Sequence, residues 1–177
     1  MGMKHSGKST HGRLLAEKFS LPFIDSDDVI EELYQKQHNN ELTCREIFKT
    51  HGSEFFRQLE SDAIHHIYNQ YSGNNNAVIA LGGGLVTNPS VEKVMLNIGI
   101  VVYLKLPYKT LYDRIIENGL PPFLDTSNPF ETFIKICNER EPYYLKYQNL
   151  TVELLDMPTD EANQLLENNI IRYLKTI

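Results

Sequence analysis

The sequence has few cysteines, no long apolar segment and no excess of basic residues, and each shortage excludes a class of protein. The 177 residues contain two cysteines, Cys44 and Cys137, which form no CxxC pair, so neither a disulfide framework nor a thiolate zinc site is expected. No apolar run approaches the roughly 18 to 20 residues that span a bilayer. Lys and Arg number 17 against 23 Asp and Glu, and the net charge of -6 argues against a nucleic-acid partner. We therefore expect a cytoplasmic protein that binds neither membranes nor nucleic acid.

The rest of the composition is that of an ordinary globular domain, with 41% hydrophobic and 23% charged residues. A chain of this length predicts a single domain over residues 1–177, and we expect a monomer. Short apolar runs that predict buried strands alternate with helical patterns along the whole chain. The predicted strands lie at residues 21–25, 77–81, 100–106 and 150–154. This alternation predicts an α/β fold with a parallel sheet covered by helices on both faces.

Helix signals fill the segments between these strands. A helix is predicted over residues 7–19 and another from residue 26, and a second pair of helices follows, opened by a capping box from Thr43 to Glu46. Later helices are predicted around residues 133–139 and at the end of the chain. The apolar stripe of the second pair consists of Phe55, Phe56, Leu59, Ala63, Ile64 and Ile67.

The most informative segment is GMKHSGKST, residues 2–10, which has the spacing GxxxxGK[ST] directly before a predicted helix. Gly2 and Gly7 allow the backbone to turn its N–H groups inward around phosphate oxygens, Lys8 can reach the β- and γ-phosphates, and Ser9 can bind Mg²⁺. A glycine turn with a solvated lysine is the alternative, and it is much less frequent for this complete pattern. The segment predicts a phosphate loop.

Two acidic residues, Asp25 and Asp27, lie at the end of the predicted strand 21–25. Mg²⁺ prefers few carboxylates and retains waters, so Asp25 suits a role near the metal, and Asp27 can orient or deprotonate a substrate hydroxyl. The alternative is that one of the two acids only caps the next helix, as Asp commonly does.

Three further features are candidates for ligand binding. Arg57 and Glu60 lie on one helix face at i, i+3 spacing, where a surface ion pair is the simpler explanation. The glycine run 82–84 follows a buried strand and gives backbone that a ligand can approach closely, although a plain turn is the alternative. Arg140 can bind a carboxylate or form an ordinary salt bridge.

The motifs GxxxxGKST, FIDSD, FRQLE, AVIALGGG and REPYY together resemble the shikimate kinase family in identity, order and approximate spacing, from residue 2 to about residue 160. The resemblance implies a three-layer P-loop kinase fold with a lid loop at about residues 118–130 and a shikimate-binding helical segment at about 26–70. It also implies transfer of the γ-phosphoryl group of ATP to the 3-hydroxyl of shikimate, a step towards chorismate and the aromatic amino acids.

The resemblance also implies a role for each motif residue. Asp27 and Lys8 would be catalytic, Ser9 and Asp25 would hold Mg²⁺, and Arg57 and Arg140 would bind the shikimate carboxylate. The nucleotide would be bound by Lys4, His5, Ser6, Gly7, Lys8, Ser9 and Thr10, and shikimate by Asp27, Arg57, Gly82, Gly83, Gly84 and Arg140.

The first departure from the family pattern concerns the lid and the phosphate loop. Family members usually carry a basic residue in an RPxL run of the lid, but the matching run here is Pro121 to Leu124, and no Lys or Arg occurs between Arg114 and Lys135. We hypothesise that Lys4, inside the phosphate loop, compensates for this cation. His5 replaces the small residue that the family usually has at this position of the loop.

The second departure is the absence of a first strand, since only Met1 precedes the loop. A central strand of five buried side chains would contribute on the order of 10 kcal/mol, comparable with the net stability of a domain. We therefore expect that the protein starts upstream of Met1 or that the chain as written folds poorly.

Two other functions stay open at this point. One is a different small-metabolite P-loop kinase that acts on gluconate or a nucleoside monophosphate, although nothing in GGG or REPYY favours it. The other is a nucleotide-binding relative without activity, against which the retained Asp27 and Lys8 argue.

Overall fold

A computed structural model of the chain describes residues 1–73, 75–117, 124, 127–155 and 157–177. Seven helices and four strands occur among these residues. In chain order they are α1 (Lys8–Phe19), β1 (Phe23–Asp25), α2 (Ser26–His38), α3 (Cys44–Tyr71), β2 (Val78–Ala80), α4 (Glu92–Met95), β3 (Val102–Lys105), α5 (Tyr108–Glu117), α6 (Pro129–Tyr147), β4 (Leu150–Glu153) and α7 (Thr159–Leu174), with 3-10 turns at Leu85–Thr87 and Pro89–Val91.

These elements form two compact units. The first unit comprises Met1–His11 and Ile100–Ile177, and the second comprises Gly12–Gly99. Each unit contains a pair of parallel strands, as the alternation of strands and helices predicts. The prediction of a single domain over residues 1–177 stays a prediction.

In the second unit, β1 pairs in parallel with β2, and Asp25 lies opposite Ala80. The chain leaves both strands at the same edge, where β1 leads into Ser26 and Asp27 and β2 leads into the glycine run. Because β1 and β2 have only three residues each, both strands are shorter than the predicted segments 21–25 and 77–81. The register places the predicted acidic and glycine motifs at one edge of the strand pair.

Helices α2 and α3 pack together and enclose a core cluster of Ile30, Tyr34, Ile47, Leu59 and Ala63. The predicted capping box is confirmed, because the Thr43 side chain accepts from the Glu46 N–H while the Glu46 carboxylate accepts from the Thr43 N–H. Gly52 has a φ of 83° and breaks α3 into two helical parts, in agreement with the predicted pair of helices. Four residues of the predicted stripe are buried, and Phe55 and Phe56 are half-buried.

In the first unit, β3 pairs in parallel with β4, with Val102 opposite Leu150. No strand precedes α1 in the described part of the chain, as expected. Met1 nevertheless lies along β3, since its nitrogen donates to the Val102 carbonyl at 2.7 Å and its carbonyl accepts from the Leu104 N–H at 2.9 Å. These bonds attach the start of the phosphate loop to β3. The expectation of an upstream start stays a prediction.

Helix α6 differs from its prediction, because it runs from Pro129 to Tyr147 and not over residues 133–139 alone. Pro142 lies inside the helix, where proline removes a main-chain donor. Buried side chains on both sides of this proline, at Phe133, Cys137, Tyr144 and Tyr147, follow helical spacing. Their burial favours a continuous helix over the proline break.

The structure describes only part of the segment that is predicted to form the lid. Residues 118–123 and 125–126, including Pro121, Pro122 and Phe123, lie outside the described residues. Leu124, the last residue of the matching run, is buried. Among the described residues, no helix is both long enough and apolar enough to cross a membrane.

Candidate active site

The phosphate loop lies in the first unit and turns tightly before α1. Gly2 and Gly7 have φ angles of 153° and 83°, which L side chains rarely adopt. The loop is closed by a hydrogen bond from the Ser6 N–H to the Met3 carbonyl at 3.2 Å. Met3 and Ser6 are buried, so these two residues anchor the loop in the unit.

The loop delivers the chain into the first turn of α1, which begins at Lys8 and contains no acidic residue. The N-terminus of a helix carries unsatisfied N–H groups and a partial positive charge, so it favours anions. The Lys8 ammonium donates to the Met3 carbonyl at 2.9 Å, within the loop itself. Ser9 is half-buried in the same turn, and Thr10 is exposed. These groups suit an oxyanion such as phosphate.

Three positively charged side chains lie near enough to His5 to affect its ring. Burial lowers the pKa of His5 from its ordinary value of 6.5, and the charges of Lys4, Lys8 and Arg114 lower it further. Arg114, from α5, also donates to the His5 carbonyl at 3.4 Å. His5 has a φ of 63°, which is uncommon outside glycine. Sequence reasoning missed Arg114 as a loop neighbour, and no local signal could have found it, because the contact joins residues far apart in the chain.

Arg140 lies on α6 in the same unit and is half-buried. Burial raises the pKa of Tyr144, and the positive charge of Arg140 opposes that shift. The buried Tyr144 hydroxyl donates to the Met3 sulfur at 3.4 Å. Arg140 therefore lies one helical turn from a side chain that contacts the phosphate loop.

In the second unit, Asp25 caps helix α2. Its Oδ1 accepts from the Asp27 N–H at 3.1 Å, so the capping alternative for one of the two acids is confirmed for Asp25. The cap fixes the first turn of α2 and with it the backbone of Asp27. Capping uses Oδ1 of the Asp25 carboxylate. A role near a metal would use the same carboxylate group, which has a second oxygen.

The Asp27 carboxylate lies against the first glycine of the GGG run. A β-carbon built at Gly82 would be 2.6 Å from Asp27 Oδ1, so a larger residue at this position would displace the Asp27 carboxylate. The Gly82 N–H donates to the buried Ser26 hydroxyl at 2.8 Å and so ties the glycine run to the start of α2. The structure thus brings Asp27 and Gly82 together, and glycine at this position leaves room for the Asp27 carboxylate.

Arg57 reaches the same glycine run from α3. Its guanidinium bonds the Glu60 carboxylate at 2.7 Å, the Gly84 carbonyl at 2.9 Å and the Thr87 hydroxyl at 3.0 Å. The ion pair considered for Arg57 and Glu60 is confirmed, but it is not a simple surface pair, because Glu60 is only 5% exposed. Asn88 also donates to the Arg57 carbonyl at 2.7 Å. No pattern in the sequence indicates a role for Thr87 or Asn88.

The donors considered for Mg²⁺ are the Ser9 hydroxyl and the Asp25 carboxylate, and both are hard oxygen ligands of the kind that Mg²⁺ prefers. The described residues contain no cluster of three or more His, Cys, Asp or Glu side chains that could hold a metal ion by themselves. In the usual Mg²⁺ site of a phosphotransferase, one or two protein ligands combine with substrate phosphates and water. The donor chemistry therefore fits the ion.

Parallel strands, covering helices and a phosphate loop before α1 define the class of protein as a P-loop kinase. The shikimate kinase of Acinetobacter baumannii, solved in complex with shikimate, superposes with a TM-score of 0.77 and 26% sequence identity, covering 97% of this chain and 90% of that one.

Sequence comparison gives the family. The family model described as Shikimate kinase matches residues 4–170. The shikimate kinase of Bartonella henselae is 36% identical over 175 residues, which cover 99% of this chain and 76% of the relative. The shikimate kinase of Thermoanaerobacter pseudethanolicus is 32% identical over 174 residues, covering 98% and 95% of the two chains. The chain belongs to the shikimate kinase family.

Proposed function

We propose that the protein transfers the γ-phosphoryl group of ATP to the 3-hydroxyl of shikimate, which gives shikimate 3-phosphate and ADP. Family membership supports the reaction. The single structural observation that carries it is the contact between the Asp27 carboxylate and Gly82, because it sets an acceptor-activating group beside backbone that a ring substrate can approach. The protein would work as a cytoplasmic monomer on these two small anionic substrates.

The nucleotide would be held by residues 4–10 of the first unit. Main-chain N–H groups of the loop and the N-terminus of α1 would surround the phosphates, and Lys8 would neutralise the β- and γ-oxygens. Bound phosphate would compete with the Met3 carbonyl for the Lys8 ammonium, which donates to that carbonyl at 2.9 Å. Arg114 joins this set on the evidence of its bond to the His5 carbonyl.

Mg²⁺, when bound with ATP, would neutralise charge that develops on the transferring phosphates. Ser9 would be a ligand through its hydroxyl, and Asp25 would bind through its carboxylate or through a metal-bound water. Because Asp25 also caps α2, this ligand would be oriented by the helix that carries Asp27.

Shikimate, the phosphoryl acceptor, would be bound by the motif that follows β1 and by the glycine run that follows β2. Asp27 would accept the proton of the shikimate 3-hydroxyl or orient it for attack, and Gly82, Gly83 and Gly84 would lie along the ring. Arg57 and Arg140 would bind the carboxylate, since a planar guanidinium matches a carboxylate in two hydrogen bonds. The Glu60 pair holds Arg57 in a fixed orientation before any substrate arrives.

A coupled assay of ADP release tests this proposal against its alternatives. Purified protein is supplied with Mg²⁺ and ATP, and with shikimate, gluconate or a nucleoside monophosphate as acceptor. We expect turnover with shikimate only. Turnover with gluconate or the nucleotide would support another small-metabolite kinase. A folded protein that binds ATP but turns over none of the acceptors would support the non-catalytic alternative.

Lys4→Ala tests whether the loop replaces the lid cation. Lys4 is exposed in the phosphate loop and contributes to the positive charge around His5. Loss of one cation that stabilises the transferring phosphate is expected to lower turnover by roughly tenfold or more. Lys49→Ala, at an exposed lysine of α3, is the control and should leave turnover unchanged. Compensation by Lys4 is ruled out if the two variants have the same kcat.

A further inference from the structure

Thr87 has no part in the proposed reaction, but its side chain bonds two residues that do. The Thr87 hydroxyl accepts from Nη2 of Arg57 at 3.0 Å and donates to the Gly84 carbonyl at 2.8 Å. A hydroxyl has one proton and two lone pairs, so donation to Gly84 leaves the oxygen as an acceptor towards Arg57. Thr87 therefore connects the guanidinium to the glycine run. All three residues lie in the second unit.

The other contacts of Arg57 show what the threonine adds. Nη1 of Arg57 donates to the Glu60 carboxylate at 2.7 Å and to the Gly84 carbonyl at 2.9 Å. Because Nη1 carries two N–H groups, these two acceptors account for both of them, and a carboxylate ligand would be bound through Nη2 and Nε. The Arg57 side chain is 38% exposed, so a ligand can reach it. Thr87 holds Nη2 and thus orients the edge of the guanidinium that would meet the ligand.

The main chain at Thr87 is anchored on both sides. The Thr87 N–H donates to the Gly84 carbonyl at 3.1 Å, which closes the turn after the glycine run. The next residue, Asn88, is only 2% exposed, and its Nδ2 donates to the Arg57 carbonyl at 2.7 Å and lies 3.5 Å from the Glu60 carboxylate. The buried amide therefore fixes Thr87 against the turn of α3 that carries Arg57.

We propose that Thr87 is a positioning residue for binding of the acceptor carboxylate, because its hydroxyl holds Nη2 of Arg57 in the orientation that binds this group. The inference rests on the proposed function, in which Arg57 binds the carboxylate of shikimate. It adds a residue that acts through Arg57 and does not contact the ligand itself. Loss of the hydroxyl should weaken the binding of shikimate and leave the binding of the nucleotide unchanged.

The main test variant is Thr87→Val, which keeps the branched shape and replaces the hydroxyl by a methyl group. The Gly84 carbonyl keeps its bonds from Arg57 and from the N–H of residue 87, so it is not left without a donor. Calorimetry measures the affinity for shikimate and, separately, the affinity for Mg-ADP. Loss of one hydrogen bond that orients Arg57 is expected to weaken shikimate binding by about fivefold. Affinity for Mg-ADP should equal that of the wild type.

Two single variants serve as controls. Thr87→Ser keeps the hydroxyl and should recover most of the affinity for shikimate. Thr50→Val makes the same change at an exposed threonine of α3, and it should bind both ligands as the wild type does.

A double variant that combines Arg57→Lys with Thr87→Val separates positioning from a purely structural effect. Lysine has no second nitrogen for the Thr87 hydroxyl to hold. In the Arg57→Lys background, Thr87→Val should therefore cause no further loss of affinity for shikimate. A structural effect on the glycine run would persist in that background.

Three outcomes would overturn the proposal. Thr87→Val may bind shikimate as tightly as the wild type, lose affinity for both ligands equally, or lower shikimate affinity by the same factor in the Arg57→Lys background. If Thr87→Val does not fold, Thr87→Ala removes the same hydroxyl and decides by the same criteria.

These measurements also separate the inference from the proposed function. A wild-type protein that binds shikimate without phosphorylating it would contradict the proposed reaction, and the affinity comparison would still decide the role of Thr87. A wild-type protein that binds no shikimate would overturn both.

Discussion

The phosphate loop of the first unit and the Asp27 surface of the second unit are built in different ways. The loop is one continuous stretch, residues 2–10, in which main-chain N–H groups and a helix N-terminus are the expected phosphate donors. The Asp27 surface, defined by Asp27, Arg57, Gly82 and Gly84, comes from three separate segments of the chain. Its members are joined by side-chain contacts, from Asp27 to Gly82 and from Arg57 to Gly84.

This difference predicts different sensitivities to substitution. A loop that binds through its backbone depends less on the identity of its side chains, provided that they tolerate its backbone angles, such as the positive φ of His5. The Asp27 surface depends on the position and charge of individual side chains, so a conservative change there should cost more than a conservative change in the loop. The predictions below test this contrast.

The largest effect is expected for Asp27→Asn. The amide keeps the shape of the side chain beside Gly82 but cannot accept a proton, so kcat should fall by roughly 10² to 10⁴. Affinity for Mg-ADP should be unchanged, because Asp27 is not among the residues proposed to hold the nucleotide. Asp28→Asn, at the exposed neighbouring acid, is the control and should keep nearly full activity. Similar losses in both variants would contradict a specific role for Asp27 and weaken the contrast with the loop.

Arg57→Lys should have an intermediate effect. Lysine keeps the positive charge for the buried Glu60 carboxylate but loses the fork that bonds the Gly84 carbonyl and the Thr87 hydroxyl together. We expect KM for shikimate to rise by about tenfold, as the loss of one charge-assisted hydrogen bond implies, with little change in KM for ATP. Arg45→Lys, on the exposed face of the same helix, is the control. An unchanged KM for shikimate would leave Arg57 with a structural role alone.

The same contrast explains how much of the molecule could be predicted from its sequence. The phosphate loop, the Thr43 cap and the core positions of the strands depend on residues that are close in sequence, so a local pattern identifies them. The edge shared by Asp27 and the glycine run could also be expected, because adjacent parallel strands end on the same side.

Other features depend on tertiary packing and have no local signature. The continuation of α6 through Pro142 is favoured by buried residues on both sides of the proline, which outweigh its local cost. The bonds of Arg57 to Thr87, and of Arg114 to the His5 carbonyl, join residues separated by many positions.

The smallest effect is expected for the pH dependence of the free energy of unfolding. This measurement tests the environment of His5 in the phosphate loop. Burial and the charges of Lys4, Lys8 and Arg114 lower the pKa of His5 in the folded protein below its ordinary value of 6.5. As the pH falls through 6.5 towards the lowered pKa, the unfolded chain therefore binds a proton that the folded protein does not, and the free energy of unfolding decreases. His5→Asn, which also tolerates the positive φ, should make this decrease shallower in urea denaturation curves between pH 7.5 and 5.5. His66→Asn, a change at an exposed histidine of the second unit, should not. Equal slopes for wild type and His5→Asn would show that the folded loop does not lower the pKa of His5, and burial together with the charges of Lys4, Lys8 and Arg114 would then be too weak to disfavour the protonated ring.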